Sequence, residues 1–449
     1  MNEYIVAIEF GSTKIVGIAG YRDENGLLVV SAIDEISTTG IVKRGCVQNV
    51  EEAFSCVKKL IRMLENRLAP AKIVKVYVGV GGVSVTAEEK ITSLSYHEDS
   101  IIKQSDVLKL KEECRNMLPS GIDTLDIVPA GFIIDGRPER NAIGVTGTNV
   151  EAHYKLITAK QVLKKNIDRC IVERLKLPIA GYITSALATA DVVLSKEERM
   201  LGCALVDFGA ETTTVSVYKN DTLVLLETLP MGGRNITRDI MSLNLIASEA
   251  ERLKIDSGMA KGFKSENNAP LKFEGDNMVD IDRAKLSLVV EARSEEIIAN
   301  VEEQIKRSGL ERKELTAGVI VLGGATKLRR WNELLEERLG MKVRVAALRK
   351  DIQVVEKELQ YINEYMQAVG LLYAAKEDCT FTSDLAKVDK EPPVVISVDT
   401  PEEEEEELVI TPEKVVKPRR QNIFTRLFDK FGQLIEEGEN DYEDDDETK

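Results

Sequence analysis

The chain has 449 residues, of which 43% are hydrophobic, and it carries 76 acidic and 60 basic side chains for a net charge of −16. This length and composition predict two to four folded units, exclude wholesale disorder and argue against a general nucleic-acid binder, which needs a basic face. The two histidines and the six cysteines, which form no CxxC pair, argue against a histidine-rich metal site, a zinc ribbon and a dense disulfide framework.

The first ten residues, MNEYIVAIEF, lack the basic start and the long apolar run of a signal peptide. No stretch of the chain reaches the roughly 18 to 20 apolar residues that a membrane-spanning helix needs. Together with the cysteine pattern, these observations predict a protein of the reducing cytoplasm.

From about residue 3 to about residue 377, apolar strand-like runs alternate with helical patterns, which is typical of an α/β protein. The predicted strands are 4–9, 14–19, 74–80, 204–208, 213–218 and 318–322. The predicted helices are 50–68, 104–116, 159–175, 234–245 and 283–308.

Two segments of the body repeat one pattern, namely IVAIEFGSTKIVGIAGY at 5–21 and CALVDFGAETTTVSVYK at 203–219. Each contains a strand, an acidic residue, Phe-Gly, a polar turn and a second strand. The repeat aligns Glu9 with Asp207 and Gly11 with Gly209. One hairpin of this kind is more often an ordinary turn, but the matched pair favours two facing turns that clamp one polyphosphate.

The residue types in these turns suit that chemistry. A turn with few bulky side chains exposes backbone N–H groups to phosphate oxygens. A lysine adds a point charge, and a carboxylate at a strand end can hold Mg²⁺ through water. The predicted phosphate-binding residues of the two turns are Gly11, Ser12, Thr13, Lys14, Gly209, Thr212 and Thr213, and the predicted metal ligands are Glu9 and Asp207.

Two further segments point to the nucleoside. The segment 319–340 contains an apolar strand, then Gly323, Gly324 and Ala325, then a helix, and paired glycines allow a close backbone approach to a ring or phosphate. The segment AERLK at 250–254 places Glu251 and Lys254 on one helix face, within reach of ribose and base. Each segment alone is also typical of an ordinary α/β turn or of a solvated ion pair.

The C-terminal region differs from the body, since residues 401–449 hold 17 acids and 7 bases. Prolines and a run of glutamates predict a flexible linker over 378–420. The segment 421–436 predicts an amphipathic helix that lies on an anionic membrane surface, with a partner helix or docking on the body as alternatives. An acidic tail follows at 437–449. The predicted membrane-binding residues are Ile423, Phe424, Leu427, Phe428, Phe431, Leu434 and Ile435.

The order of two phosphate turns, an AERLK helix and a GGA turn resembles the actin-like ATPase superfamily. Within it, the chain is similar to the FtsA family of bacterial actin-like cell-division proteins. This closer resemblance rests on the amphipathic C-terminus and on five segments, which are GIVKRGCVQNVEEAFSCVKKLI, VYVGVGG, IVPAGFIIDG, AIGVTG and LPMGGRNITRDI.

The resemblance implies an actin-like, two-lobed α/β fold with duplicated ribonuclease-H-like subdomains and one inserted subdomain. The first-lobe core would comprise 1–82, 161–200 and 350–377, and the inserted subdomain 83–160. The second-lobe core would comprise 201–226 and 316–349, and the outer subdomain of that lobe 227–315.

The resemblance also implies function. The cofactors would be ATP and Mg²⁺, with Ala210, Gly232 and Gly233 as further phosphate-binding residues. The partners would be other copies of the chain in a filament, the C-terminal tail of FtsZ on the outer subdomain, the membrane and other division proteins. The location would be the cytoplasmic face of the cell membrane at the division site. A PilM-like pilus assembly protein and a sugar kinase of the same superfold are the alternatives.

The sequence departs from the family pattern at three positions of the turns. Glu9 replaces the usual aspartate, and Ala210 and Glu211 replace glycines. The segment 178–190, which supplies a water-orienting residue in hydrolytic relatives, has no carboxylate, Gln or His. Without such a group, hydrolysis loses a factor of roughly 10² to 10⁴. We therefore expect ATP binding with weak or no ATPase activity.

Overall fold

A computed structural model describes residues 3–118, 120–262, 271–274, 278–354 and 364–381 of the chain. All of them belong to the first of two units, 1–388, and the second unit is 389–449. The linker beyond residue 381, the amphipathic helix 421–436 with its seven predicted membrane-binding residues, and the acidic tail 437–449 lie outside the described residues.

The described strands are β1 Ile5–Phe10, β2 Lys14–Arg22, β3 Leu28–Ser37, β4 Val42–Lys43, β5 Cys46–Val47, β6 Lys72–Ile73, β7 Val76–Val80, β8 Thr86–Ile101, β9 Ile122–Ile134, β10 Arg137–Glu139, β11 Thr146–Lys160, β12 Ile179–Thr184, β13 Cys203–Phe208, β14 Thr213–Lys219, β15 Thr222–Leu229, β16 Leu271–Glu274, β17 Met278–Ile281, β18 Gly318–Leu322, β19 Val343–Val345, β20 Ile352–Val354 and β21 Thr380–Phe381. The described α-helices are α1 Val50–Leu68, α2 Gln104–Arg115, α3 Val162–Asp168, α4 Ser185–Val193, α5 Lys196–Leu201, α6 Gly233–Ile240, α7 Ala247–Ser257, α8 Arg283–Arg307, α9 Trp331–Leu339 and α10 Met366–Ala374.

The first lobe is built on a six-stranded sheet in the order β12-β7-β1-β2-β3-β20. Helix α1 begins where the side chain of Asn49 accepts a hydrogen bond from the backbone N–H of Glu52 at 3.1 Å. Its apolar face packs on β2, and a Cβ added at Gly17 would come within 2.8 Å of Leu64. The missing side chain at Gly17 therefore lets the helix lie directly on the sheet.

The second lobe repeats this arrangement in a five-stranded sheet with the order β15-β14-β13-β18-β19. In both lobes the first strand pairs antiparallel with the next strand and parallel with a later one, β7 in the first lobe and β18 in the second. Glu9 lies opposite Val16, and Asp207 lies opposite Thr214. The two acidic residues thus occupy equivalent positions, one residue before the end of their strands.

The inserted subdomain is a four-stranded antiparallel sheet in the order β10-β9-β11-β8, with α2 on one face. Its own apolar core includes Leu110, Phe132 and Tyr154. Its strands begin at Thr86 and end at Lys160, inside the predicted range 83–160. In the outer part of the second lobe, α6 packs against α7 and α8.

The structure differs from the predicted elements in two places. Residues 159 and 160, predicted as the start of a helix, end strand β11, and the helix that follows becomes a π-helix at Arg169–Arg174. Residues 379–381, predicted as linker, belong to the folded body, because Cys379 is fully buried and β21 pairs with β6. Within the described residues, no helix has the length and hydropathy of a membrane-spanning segment.

Candidate functional site

The two repeated turns face one cavity of about 1670 Å³. Helices α4, α6, α7 and α10 and the turn after β18 also contribute residues to its walls. The predicted residues that line this cavity are Glu9, Gly11, Ser12, Thr13, Lys14, Asp207, Gly209, Ala210, Thr212, Gly233, Glu251, Lys254, Gly323, Gly324 and Ala325. These residues lie up to 316 positions apart in the sequence and line one cavity. The prediction that two facing turns clamp one polyphosphate requires such a shared cavity.

The two turns have the same backbone hydrogen bond. The N–H of Gly11 donates to the carbonyl of Lys14 at 2.9 Å, and the N–H of Gly209 donates to the carbonyl of Thr212 at 2.9 Å. A Cβ would lie 2.7 Å from the first carbonyl oxygen and 2.9 Å from the second, so both turns require glycine for their own geometry. Neither glycine N–H is left for a phosphate.

The N–H groups available to an anion are those at the tips of the turns. Within the described part of the chain, the backbone N–H groups of Ser12, Thr13, Ala210 and Glu211 have no hydrogen-bond acceptor. All four residues line the cavity. Two facing rows of such donors are suited to binding phosphate oxygens from both sides.

Two carboxylates lie beneath the turns. Burial, together with the charge of Asp207, raises the pKa of Glu9 to about 8, and Lys14 opposes this shift. Burial raises the pKa of Asp207 to about 6, and a hydrogen bond from the side-chain amide of Gln367 opposes it. Burial is the larger cause of the raised pKa at both residues, and only Glu9 is also affected by the charge of its neighbour.

This pair fits a hydrated magnesium ion. Mg²⁺ keeps much of its water and is commonly bound by one or two carboxylates together with phosphate oxygens. Among the described residues, no group of three or more His, Cys, Asp and Glu side chains could hold a metal, so a site built wholly from protein side chains has no support there. Glu9 and Asp207 are therefore suited to holding the ion through water.

The turn after β18 packs directly against the carboxylate of Asp207. Gly323 has a φ of +93°, and a Cβ there would lie 2.4 Å from both Oδ1 of Asp207 and the carbonyl oxygen of Phe208. A Cβ at the neighbouring Gly324 would meet nothing within 4 Å. The first glycine is thus required by packing, and the second leaves open space on the cavity wall.

The predicted ribose-binding pair is part of a hydrogen-bonded cluster. Nζ of Lys254 lies 2.7 Å from Oε2 of Glu251, 2.9 Å from Oγ1 of Thr237 and 3.2 Å from the carbonyl oxygen of Gly233. The hydroxyl of Thr237 also donates to Glu251. This cluster joins α7 to the start of α6 and fixes both side chains at the cavity wall.

Three predicted phosphate-binding residues are engaged elsewhere. The hydroxyl of Thr213 donates to the carbonyl of Met231 at 2.9 Å, and Thr213 does not line the cavity because its side chain points into the core. The N–H of Gly232 donates to Oδ1 of Asn235 at 3.0 Å, and Gly232 is not part of the wall. The N–H of Gly233 donates to the carbonyl of Gly209 at 3.0 Å. The bond from Gly233, together with one from the N–H of Arg234 to the carbonyl of Ala210 at 2.7 Å, fastens α6 to the second turn.

Lys14 is paired within its own lobe. Its Nζ lies 2.6 Å from Oε2 of Glu35, 3.6 Å from Oε2 of Glu364 and 4.2 Å from the centre of the Tyr365 ring. The side chain lines the cavity nonetheless. Lys14 would have to exchange these partners to reach a phosphate.

Sequence reasoning missed two cavity residues that bridge the lobes, Arg234 and Gln367. Arg234 follows the paired glycines at 232–233, which was a signal that could have been used. Gln367 lies in an apolar helix, and nothing in its neighbourhood indicates that it contacts Asp207, 160 residues away. Glu211, which replaces a glycine of the family pattern, accepts hydrogen bonds from the backbone N–H of Arg44 and from the guanidinium of Arg234.

Comparisons with known proteins agree with this arrangement. The chain matches the family described as "Cell division protein FtsA" over residues 204–370 and the family described as "SHS2 domain inserted in FTSA" over residues 82–158. It is 33% identical over 384 residues to the cell division protein FtsA of Porphyromonas gingivalis, covering 85% of this chain and 80% of that protein. It is 29% identical over 388 residues to the FtsA of Bacillus subtilis, covering 83% and 84%.

Among solved structures, the chain is similar to the PilM-PilN type IV pilus biogenesis complex, with a TM-score of 0.58, 16% identity and coverage of 82% of this chain and 97% of that one. At this identity the likeness concerns the fold alone. The expected actin-like, two-lobed α/β fold with an inserted subdomain is confirmed.

Proposed function

The chain belongs to the FtsA family of cell-division proteins, and from this premise we propose that it is an ATP-binding filament protein that tethers FtsZ polymers to the cytoplasmic membrane. The family membership argues against the alternatives of a PilM-like pilus protein and a sugar kinase. One observation carries the nucleotide part of the proposal. Two matched turns with free N–H groups and paired carboxylates face a single cavity.

In this proposal each element of the cavity has one role. The tips of the turns at 12–13 and 210–211 donate N–H groups to the phosphates. Glu9 and Asp207 hold Mg²⁺, which would neutralise phosphate charge. The Lys254 cluster and the open surface at Gly324 accommodate ribose and base. Binding of a fluorescent ATP analogue to the full chain, with competition by ATP and GTP, tests this assignment; absence of binding by ATP would remove it.

We expect this nucleotide to be hydrolysed slowly or not at all. The polar groups of 178–190 that line the cavity are the hydroxyls of Ser185 and Thr189, and the latter donates to the carbonyl of the former at 2.7 Å. The amide of Gln367 is engaged by Asp207. Neither arrangement supplies a base for water. Steady-state phosphate release above about one per second, approaching a typical enzyme rate, would contradict this expectation.

The membrane part of the proposal rests on the sequence of 421–436, whose seven large apolar residues fall on one face of a helix. Burial of this face gains about as much free energy as ordering the segment costs, so one copy binds weakly. A filament that carries many copies binds far more tightly. Flotation with anionic vesicles, comparing the full chain with a chain ending at residue 420, tests the segment; equal flotation would refute the role.

We place the FtsZ-binding surface on the outer part of the second lobe, 227–315. Leu288 on α8 exposes 69% of its surface there and is available to an apolar peptide. A pull-down with the FtsZ C-terminal peptide from the same organism, repeated with Leu288→Glu, tests the assignment. Undiminished capture by the variant would move the site elsewhere. Recruitment of other division proteins at the division site completes the proposed role.

A further inference from the structure

The phosphate end of the cavity is crossed by two polar contacts between the lobes. Oε2 of Glu211, in the second turn, accepts the backbone N–H of Arg44 from the first lobe at 2.9 Å. Nη2 of Arg234, at the start of α6, donates to the carbonyl oxygen of Ser12 in the first turn at 3.3 Å. Nη1 of Arg234 and Oε1 of Glu211 lie 2.6 Å apart. One ion pair therefore joins both turns.

The partner of Glu211 in the first lobe is the tip of the β4–β5 hairpin. Arg44 and Gly45 form its two-residue turn, with φ values of +51° and +83°. Positive φ at both residues is typical of the type I′ turn that connects tightly paired strands. One carboxylate oxygen of Glu211 thus accepts a backbone N–H, and the other accepts the guanidinium of Arg234. The charge of Glu211 is therefore compensated without a metal.

The guanidinium of Arg234 has donors left for another ligand. It carries five N–H donors in one plane, and the described contacts with Glu211 and Ser12 use two of its nitrogens. Its side chain lines the cavity and is 26% exposed. It also lies beside both turns, where the free N–H groups of Ser12 and Glu211 meet the cavity. Arginine is suited to phosphate because its planar fork contacts two oxygens at once.

We propose that Arg234 binds the terminal phosphates of a nucleoside triphosphate and that Glu211 is the positioning residue that holds the guanidinium between the two turns. The proposal rests on the nucleotide binding proposed above and adds a residue and a specificity to it. Glu211, which departs from a glycine-rich second turn, then has a function. It orients the guanidinium of Arg234 toward the terminal phosphates.

A purely structural ion pair would have a different signature. If Glu211 and Arg234 only closed the cleft, their loss would weaken the binding of ATP, ADP and adenosine by the same factor. If Arg234 contacts the terminal phosphates, its loss weakens ATP most. The ratio of ATP to ADP affinity therefore separates the two roles.

The experiment is equilibrium binding of ATP, ADP and adenosine, each with Mg²⁺, to the full chain and its variants. Arg234→Ala should weaken ATP binding by about tenfold to hundredfold, the loss expected for one charged hydrogen-bond donor, and ADP binding by less. Arg234→Lys, which keeps the charge without the fork, should fall between. Glu211→Gln should weaken ATP binding by a smaller factor and add little to Arg234→Ala, because the two residues act as a unit.

The matched control is Arg344→Ala. Arg344 forms a comparable, partly exposed ion pair with Glu198, at 2.7 Å, and does not line the cavity. Its removal should leave the ATP to ADP ratio unchanged. An unchanged ratio in Arg234→Ala, with folding verified by circular dichroism, would overturn the inference while leaving nucleotide binding intact. If Arg234→Ala does not fold, an unchanged ratio in Arg234→Lys decides in the same way. Failure of the unmodified chain to bind ATP would overturn both proposals.

Discussion

The two turns at 9–14 and 207–212 have the same backbone hydrogen bond but differ in the partners of their charged side chains. Both are closed by the same glycine hydrogen bond of 2.9 Å. In the first turn, Lys14 pairs with Glu35 and Glu364 of its own lobe. In the second turn, Glu211 reaches across the cleft to Arg44.

The carboxylates beneath the turns differ as well. Asp207 accepts a hydrogen bond from Gln367, whereas Glu9 has the charge of Asp207 nearby and a higher pKa. The comparison shows that the duplicated unit preserves the geometry that presents N–H groups. The charged side chains differ, and in the second turn Glu211 contacts the other lobe.

The largest expected effect on the free energy of unfolding concerns the glycine that follows the strand beside each turn. Gly323 follows β18 and packs directly against the second turn. Its counterpart Gly81 follows β7, and a Cβ at Gly81 would make only an ordinary contact, 3.6 Å from Ser185. Gly323→Ala should lower the free energy of unfolding by about 3–5 kcal/mol through backbone strain and overpacking. Gly81→Ala should change it by less than about 1 kcal/mol. Urea denaturation measures both, and equal losses would mean that the two halves are supported alike.

A smaller effect concerns the pH dependence of Glu9. Its pKa is about 8 in the folded protein, raised by burial and by the charge of Asp207, and 4.5 is its ordinary value. Between these values the folded state holds a proton that the unfolded state has lost, so stability falls as pH rises from about 4.5 to about 8. Asp207, with a pKa of about 6, contributes a slope of the same sign at lower pH. Without nucleotide and divalent cation, Glu9→Gln should therefore remove the slope above about pH 6 and be more stable at pH 8 by about 2–4 kcal/mol.

An unchanged pH dependence of stability in Glu9→Gln would contradict this prediction. A variant as sensitive to pH as the unmodified chain over this range would show that Glu9 is ionised in the folded protein. The measurement is chemical denaturation at a series of pH values with a chelator present, and Glu35→Gln, a partly exposed carboxylate of the same lobe, is the control.

The smallest effect is expected at Lys14. Its ion pairs with Glu35 and Glu364 are partly exposed, and pairs of this kind contribute about 0–1 kcal/mol. Lys14→Met should therefore change the free energy of unfolding without nucleotide by no more than about 1 kcal/mol. Thermal and urea unfolding at two salt concentrations measure it. A loss of several kcal/mol would show that the first turn depends on its side chain as much as on its backbone.

Much of the fold follows from local pattern. Helix α1 has its predicted bounds because one buried face sets a helical period, and strand β18 has its predicted bounds because all five of its residues form one buried apolar run. The repeat of strand, acid and Phe-Gly also brings Glu9 and Asp207 to one cavity. The end of the body was less accessible to sequence reasoning, since the burial of Cys379 depends on β6, about 300 residues earlier in the chain.

The sequence by itself determined the two turns, because a glycine at the end of a strand and the polar residues after it dictate the local backbone. Only the tertiary structure decided which side chains meet across the cleft. Glu211 and Arg44 are 167 residues apart, and Asp207 and Gln367 are 160 apart. No local pattern encodes such pairs, since their contact depends on how two separately folded sheets are packed. Glu211, the positioning residue of our proposal, belongs to this second group.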